Sequence, residues 1–400
     1  MPQMQMTSRE RMLAALKREG PDHIPFSPYN GNWATFGEPF VWNGPVERIQ
    51  RMLELELDPC MDIWMPDPQP HSDVQIRTWR ERQDNGRVLL TKEYHTPAGV
   101  LRQVVEEGDN WCSTRHGPWI PTTWSVEKRD HYGMDLFDDW NISRRLEPWV
   151  KGREDLDKLR YIIRLPEGHV LDEWRMDAQR AMEAAARHEV LTTARRTVVG
   201  DAFQWFCDIS WFMMQLFDDP EFVQEFLGIF QDWAMAMVRE VLDVGVDVVQ
   251  YRGWYEIPTF WGPDGWSRFL RPLINEQAEL VHSAGKLASY LLPEGQGAYA
   301  AALHECGVDV LQGVDPRMLH GGDLAALAEA LSAEKAFWGG VNAEVTIYSG
   351  NAGAIDAEVA EAVRTLGANG GLVMSAFLFE ETPLDGIVRF AEAWRRHCNG

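Results

Sequence analysis

Cysteine is scarce: Cys60, Cys112, Cys207, Cys306 and Cys398 are the five in 400 residues, odd in number and never spaced as a CxxC pair. That excludes a disulfide framework and a zinc ribbon, and reduced thiols are expected. Basic charge is also short. With 38 Lys+Arg against 61 Asp+Glu the formal charge is −23, which repels phosphate backbones and anionic lipid and leaves no basic stripe for counterion release. Neither nucleic acid nor a membrane surface is an expected partner. Long apolar runs are missing: none approaches the ~20 residues that span a bilayer, and the start MPQMQMTSRERM lacks the basic-then-apolar order of a secretion signal. A cytoplasmic location is expected. Tyrosine is sparse at 9 while tryptophan reaches 18, and so many indoles either line a pocket or fill core and subunit contacts.

What is present has the balance of a globular chain, 45% hydrophobic and 25% charged. Thr7-Ser8-Arg9-Glu10 has capping-box spacing, and Met12, Leu13 and Leu16 continue it as one helical stripe. Ile24-Pro25-Phe26 reads as a first strand, a helix from about Val46 to Leu55 follows, and Met61 to Trp64 reads as a second strand. Between about 70 and 150 the rhythm changes. Residues 74–82 and 87–95 alternate around Asp84-Asn85-Gly86, which predicts a β-hairpin with a type I′ turn. A third strand starts at Val190. Asp219-Pro220 opens a long helix whose apolar stripe runs Phe222, Phe226, Phe230, Trp233, Met237, Val241 and stops at Gly245.

The C-terminal portion is the most regular. Gly245-Val246-Asp247-Val248-Val249-Gln250 recurs as Gly307-Val308-Asp309-Val310-Leu311-Gln312, each a helix-ending glycine before a buried strand. Similar units begin at Gly285, Lys335 and Gly371, and the total of about eight predicts a (β/α)₈ TIM barrel with a β-hairpin insertion between strands 2 and 3. An open doubly wound sheet is the alternative, disfavoured because no glycine-rich phosphate loop follows the first strand. The expected layout is one domain: barrel units over 1–70, the insertion over 71–150 and the remaining barrel over 151–400. Chemistry in such a barrel sits on the loops after the strands. Those loops hold Asn30, Asn32, Asp67, Tyr255, Glu256, Tyr290, Glu294, Asp315, His320, Asn342, Glu344, Glu380 and Glu381, whereas His282, His304 and Cys306 fall on the opposite face.

In this order of elements the chain resembles the uroporphyrinogen decarboxylase-like superfamily, which includes cobalamin-linked methyltransferases. The likeness lies in Arg9 to Leu16 followed by Pro21-Asp22-His23-Ile24-Pro25, in Pro263 to Pro272, in His282 to Lys286, in Gly307 to Val310, in Phe337 to Val341 and in Gly370 to Met374. True porphyrinogen decarboxylases of that group carry an arginine-rich segment after the first strand for a polycarboxylate substrate. Here Pro28-Tyr29-Asn30-Gly31-Asn32-Trp33 contains no arginine, which argues against a tetrapyrrole. Thiol-alkylating members place His-x-Cys after strand 5 and a cysteine after strand 8 to hold zinc. This chain has Tyr290-Leu291-Leu292 and Ser375-Ala376-Phe377 there, and its literal His304-Glu305-Cys306 precedes strand 6 on the wrong face.

The resemblance implies a methyltransferase acting as a demethylase: a methyl group passes from a small donor, an aromatic methyl ether or a methylated amine, to cobalamin borne by a corrinoid protein or free. Glu256, Glu294 and Tyr290 are the candidate catalytic groups, and Trp254, Tyr255, Trp261, Asn30, Asn32, Asn342 and Phe377 the candidate substrate contacts. A divalent metal is left open, with Glu256, Glu294 and Glu380 as its candidate ligands, and so is a homodimer. The alternatives are a decarboxylase or lyase of a small aromatic acid, with Asn30 or an active-face carboxylate handling the proton, and a barrel that binds without catalysis.

Overall fold

A computed structural model gives the fold over residues 5–28, 44–107, 136–137, 142, 144–378 and 382–398. Apolar runs that follow helix-ending turns form seven parallel strands: β1 (Cys60–Trp64), β6 (Leu191–Val198), β7 (Val248–Arg252), β8 (Leu287–Leu291), β9 (Val310–Val314), β10 (Ala336–Gly340) and β11 (Leu372–Ser375). They pair in that order, and helices alternate with most of them. The expected first strand is reduced to one bridge. Phe26 pairs in parallel with Met374, the Met374 N–H donates to Pro25 O at 2.8 Å, and on the other side the Asp58 N–H donates to Phe26 O at 2.9 Å. Segment 24–27 therefore closes the ring between β11 and β1 as the eighth position of the barrel. Pro25 has no N–H to give, which is why a ladder cannot extend there.

The N-terminal end of the barrel is plugged. The Thr7 capping box starts the helix Ser8–Lys17, whose Met12, Ala15 and Leu16 pack against Cys60, Leu191, Val248, Val310 and Trp338. The repeated Gly-Val-Asp-Val segments explain themselves at this end. Asp247 Oδ2 accepts the Thr192 N–H of β6 at 3.1 Å, and Asp309 Oδ2 accepts the Ala288 N–H of β8 at 2.7 Å, so each aspartate clips the preceding strand at its start. His282 Nε2 lies 2.8 Å from Asp309 Oδ2, a structural role on the face away from the loops after the strands.

The long helix spans Pro220–Val244, with Asp219 accepting the Phe222 N–H at 3.0 Å and Gly245 ending it at φ 98°. Its Phe226 and Phe230 are fully buried, meeting Phe212 and Phe206 with centroids 5.2 and 5.0 Å apart. Truncating such a ring to Ala costs about 3–5 kcal/mol. Outside the barrel, β2 (Gln75–Arg82), β3 (Val88–Thr96), β4 (Gly99–Glu106) and β5 (Arg145–Glu147) form a separate antiparallel sheet. The hairpin is where expected, but its turn differs. Among its turn residues only Gly86 has positive φ, and the Gly86 N–H donates to Gln83 O at 2.9 Å. That is a three-residue loop closed by a glycine bulge rather than a type I′ turn, because Asn85 stays on the negative side of φ.

Candidate active site

Glu256 follows β7 through the turn Gly253–Tyr255 and is fully buried. Its Oε1 accepts the Gly200 N–H at 2.9 Å and the Tyr251 hydroxyl at 3.1 Å. Its Oε2 accepts the Tyr290 hydroxyl at 2.7 Å, and the Tyr290 oxygen accepts the Trp266 Nε1–H at 2.9 Å. Burial dominates this carboxyl and the charge of Asp201 adds to it, so its pKa lies well above the ordinary value even with three donors attached. Burial and then Glu256 push the Tyr251 and Tyr290 hydroxyls upward as well. Glu256 thus joins β7 and β8 to the loop after β6. Gly253 makes room for this: a Cβ there would stand 2.4 Å from the Tyr290 ring.

Asp201 organises the next layer. Fully buried and ion-paired with Arg252, it accepts the Tyr255 N–H at 2.6 Å and the Trp254 N–H at 3.1 Å, which fixes the backbone carrying those two rings. The Arg252 guanidinium lies 5.1 Å from the Trp205 ring centroid and 5.7 Å from that of Tyr255.

The loops after β6 to β11 enclose a cavity of about 510 Å³. Trp254, Tyr255, Phe260 and Phe377 give it ring walls, with Trp254 and Phe377 meeting edge to face at 5.2 Å. Among the described residues its charged lining is Glu294, Asp315 and Glu344. Glu294 Oε1 lies 2.8 Å from His320 Nε2. Asp315 accepts the Arg317 N–H and the Asn342 Nδ2–H, each at 2.8 Å, yet burial, helped by Glu344, raises its pKa. Gln204 also lines the cavity; it is 2% exposed, and its Nε2 has no hydrogen-bond partner among the described residues.

Of the residues singled out in the sequence, Glu294, Trp254, Tyr255 and Phe377 come together around this cavity. Glu256 and Tyr290 do not line it. Glu256 and Glu294, named together from the sequence as candidate catalytic groups and metal ligands, therefore do not meet in this cavity: both Glu256 oxygens are turned to Gly200, Tyr251 and Tyr290 by the donors that make its burial tolerable. Trp261 belongs to the core, 5.8 Å from Phe203 and 6.0 Å from Phe212, and Asn342 acts through Asp315 instead of lining the cavity. Asn30, Asn32, Glu380 and Glu381 lie outside the described residues. Gln204 and Phe260 were not foreseen, since neither stands in a motif and only the fold brings them to the mouth. His304 is exposed and paired with Glu334 while Cys306 is buried, its thiol pushed up to about 11 by that burial, so the two diverge. Among the described residues no three His, Cys, Asp or Glu side chains gather to hold a metal ion.

A parallel barrel with an acid-bearing, ring-walled cavity at the C-terminal ends of its strands has the layout of barrel enzymes. Residues 203–397, just under half of the chain, match the family model described as Uroporphyrinogen decarboxylase (URO-D), in line with the resemblance read from the sequence. No curated protein sequence matches the chain. Among solved structures it is similar to a methyltransferase from Methanosarcina mazei at 16% identity, with a TM-score of 0.54, over 98% of this chain and 99% of that one. A D-psicose 3-epimerase, determined in the presence of D-fructose, follows at 10% identity and a TM-score of 0.36, over 63% of this chain and 95% of that one. The first of these likenesses shows the fold.

Proposed function

We infer that the chain is a methyltransferase of the uroporphyrinogen decarboxylase-like group that takes a methyl group from a small methylated donor and passes it to the cobalt of a corrinoid. The observation that carries this reading is the cavity, whose lining is rings and carboxylates with no Lys or Arg among the described residues. The full-length likeness to a methyltransferase adds support. About 510 Å³ suits a small donor and is too small for a corrin with its nucleotide tail. The corrinoid is thus a second substrate that meets the donor at the mouth, either on a partner protein or free. In the transfer the electron pair of cobalt(I) forms the Co–CH₃ bond while the C–O or C–N bond breaks and its pair stays with the leaving group. A methyl ether then requires a proton on its oxygen, for which Glu294 is the best-placed predicted acid, whereas a quaternary ammonium leaves as a neutral amine.

Decarboxylation, which the family model's description brings to mind, meets an obstacle. A carboxylate substrate entering beside Glu294 and Glu344 is repelled, and among the described residues no lining Lys or Arg offsets that. The test is incubation of the protein with methylated donors and cob(I)alamin while the methylcobalamin absorbance is followed. Donor-dependent methylcobalamin is expected. None with either ethers or methylated amines, or release of CO₂ from small aromatic acids, overturns the reading.

A further inference from the structure

We propose that the donor site takes a cation: a small methylated ammonium compound that also carries a hydroxyl or other oxygen acceptor. This rests on the reading of the cavity as the donor site. Trp254, Tyr255, Phe260 and Phe377 line it with rings, and the three acids Glu294, Asp315 and Glu344 line it from the loops after β8, β9 and β10. A quaternary ammonium is attracted to such rings, and more strongly where carboxylates stand within a few ångströms. The neighbouring cationic groups are already engaged: Arg252 is paired with Asp201 and lies 5.8 and 5.7 Å from the Trp254 and Tyr255 ring centroids, the Arg317 guanidinium bonds Thr346 Oγ1 and faces Glu358 at 3.6 Å, and His320 Nε2 lies 2.8 Å from Glu294 Oε1. The charged form of Asp315 is disfavoured by burial and by Glu344, a cost that an incoming positive charge relieves.

The carboxylates are not gathered for a metal. Among the described residues no three ligating side chains approach one point, which favours a diffuse organic cation over a compact ion. Gln204 provides a separate indication. It stands in the cavity wall and is 2% exposed, with Nε2 shielded and unpartnered among the described residues, a costly state for a polar group that a ligand oxygen relieves when the amide turns toward the cavity. Methyl transfer from such a donor balances without a proton: the C–N pair returns to nitrogen and the tertiary amine leaves neutral, so no general acid is required.

Choline and 3,3-dimethylbutan-1-ol test this, since they share shape and hydroxyl and differ in the nitrogen charge. Isothermal titration of the full chain without corrinoid should give choline at least ~10-fold tighter binding, or ~1.4 kcal/mol. Glu294→Gln and Asp315→Asn should each narrow that ratio, and Gln204→Leu should weaken both ligands alike. Equal affinities, a preference for the alcohol, or no binding of either up to about 10 mM overturns the proposal. If a variant fails to fold, the wild-type ratio alone decides. Choline preference without cobalamin methylation refutes methyl transfer and leaves the cation site. Methylation from a neutral ether without choline preference does the reverse.

Discussion

Gly200 and Glu256 sit so close that a Cβ on the glycine would stand 2.3 Å from Oε1, the oxygen to which the Gly200 N–H donates at 2.9 Å. The glycine is thus required by contact and not by backbone angle. It lets the loop after β6 lie directly on a buried acid that also binds β7 and β8. Gly200→Ala should cost at least ~2 kcal/mol through overpacking and a strained hydrogen bond, read as a lower denaturant midpoint with unchanged m. An unaffected midpoint would show that Glu256 has another place to go.

Glu256 makes a second expectation with a definite sign. Its folded pKa is raised above the unfolded value of about 4.3, so its favourable contribution is full below that value and is lost as pH rises through the folded one. Glu256→Gln imitates the neutral form. The stability of this variant relative to wild type, followed by urea unfolding, should therefore improve as pH rises above the unfolded value of about 4.3. A difference independent of pH would mean that the carboxyl titrates alike in both states.

Asp247 behaves in the opposite sense. Burial opposes its charge, but the Arg9 fork and the Thr192 N–H outweigh that and lower its pKa. Its contribution is present above the unfolded value and lost as pH falls through the folded one. Asp247→Asn should cost about 1–2 kcal/mol at pH 7, modest because Arg9 is half exposed, and the gap to wild type should close below about pH 4 in acid unfolding curves.

Glu294 lines the cavity, whereas Glu256 supports it from behind. Glu294→Gln should lower kcat/KM for methyl transfer by about ten- to a hundredfold with little change in Tm. Steady-state rates of methylcobalamin formation check this, and a fully active Glu294→Gln would remove the residue from the site.

Asp201 holds Trp254 and Tyr255 by their backbones and is paired with Arg252. Asp201→Ala should destabilise by about 3–5 kcal/mol because Arg252 would be left without its carboxylate in a largely buried place. A loss below ~1 kcal/mol would show that other groups neutralise Arg252.

The strands, their order and the long helix were legible because they depend on local chemistry: apolar runs after Gly245, Gly285, Gly307 and Gly371, the Asp219-Pro220 start, and the alternation around Asp84-Asn85-Gly86. Barrel topology then assigned each loop to a face, so Glu294, Trp254, Tyr255 and Phe377 could be named from sequence as residues near the mouth. Which acid reaches the cavity was not local. Glu256 and Glu294 are the same residue type in comparable loops, and only the arrival of Gly200, Tyr251 and Tyr290 from neighbouring elements turns one of them inward. The orphaned amide of Gln204 and the wall made by Phe260 are likewise products of packing. A sequence records which groups can hydrogen-bond or stack. Their final partners are chosen by distances that exist only after the ring has closed through Phe26 and Met374.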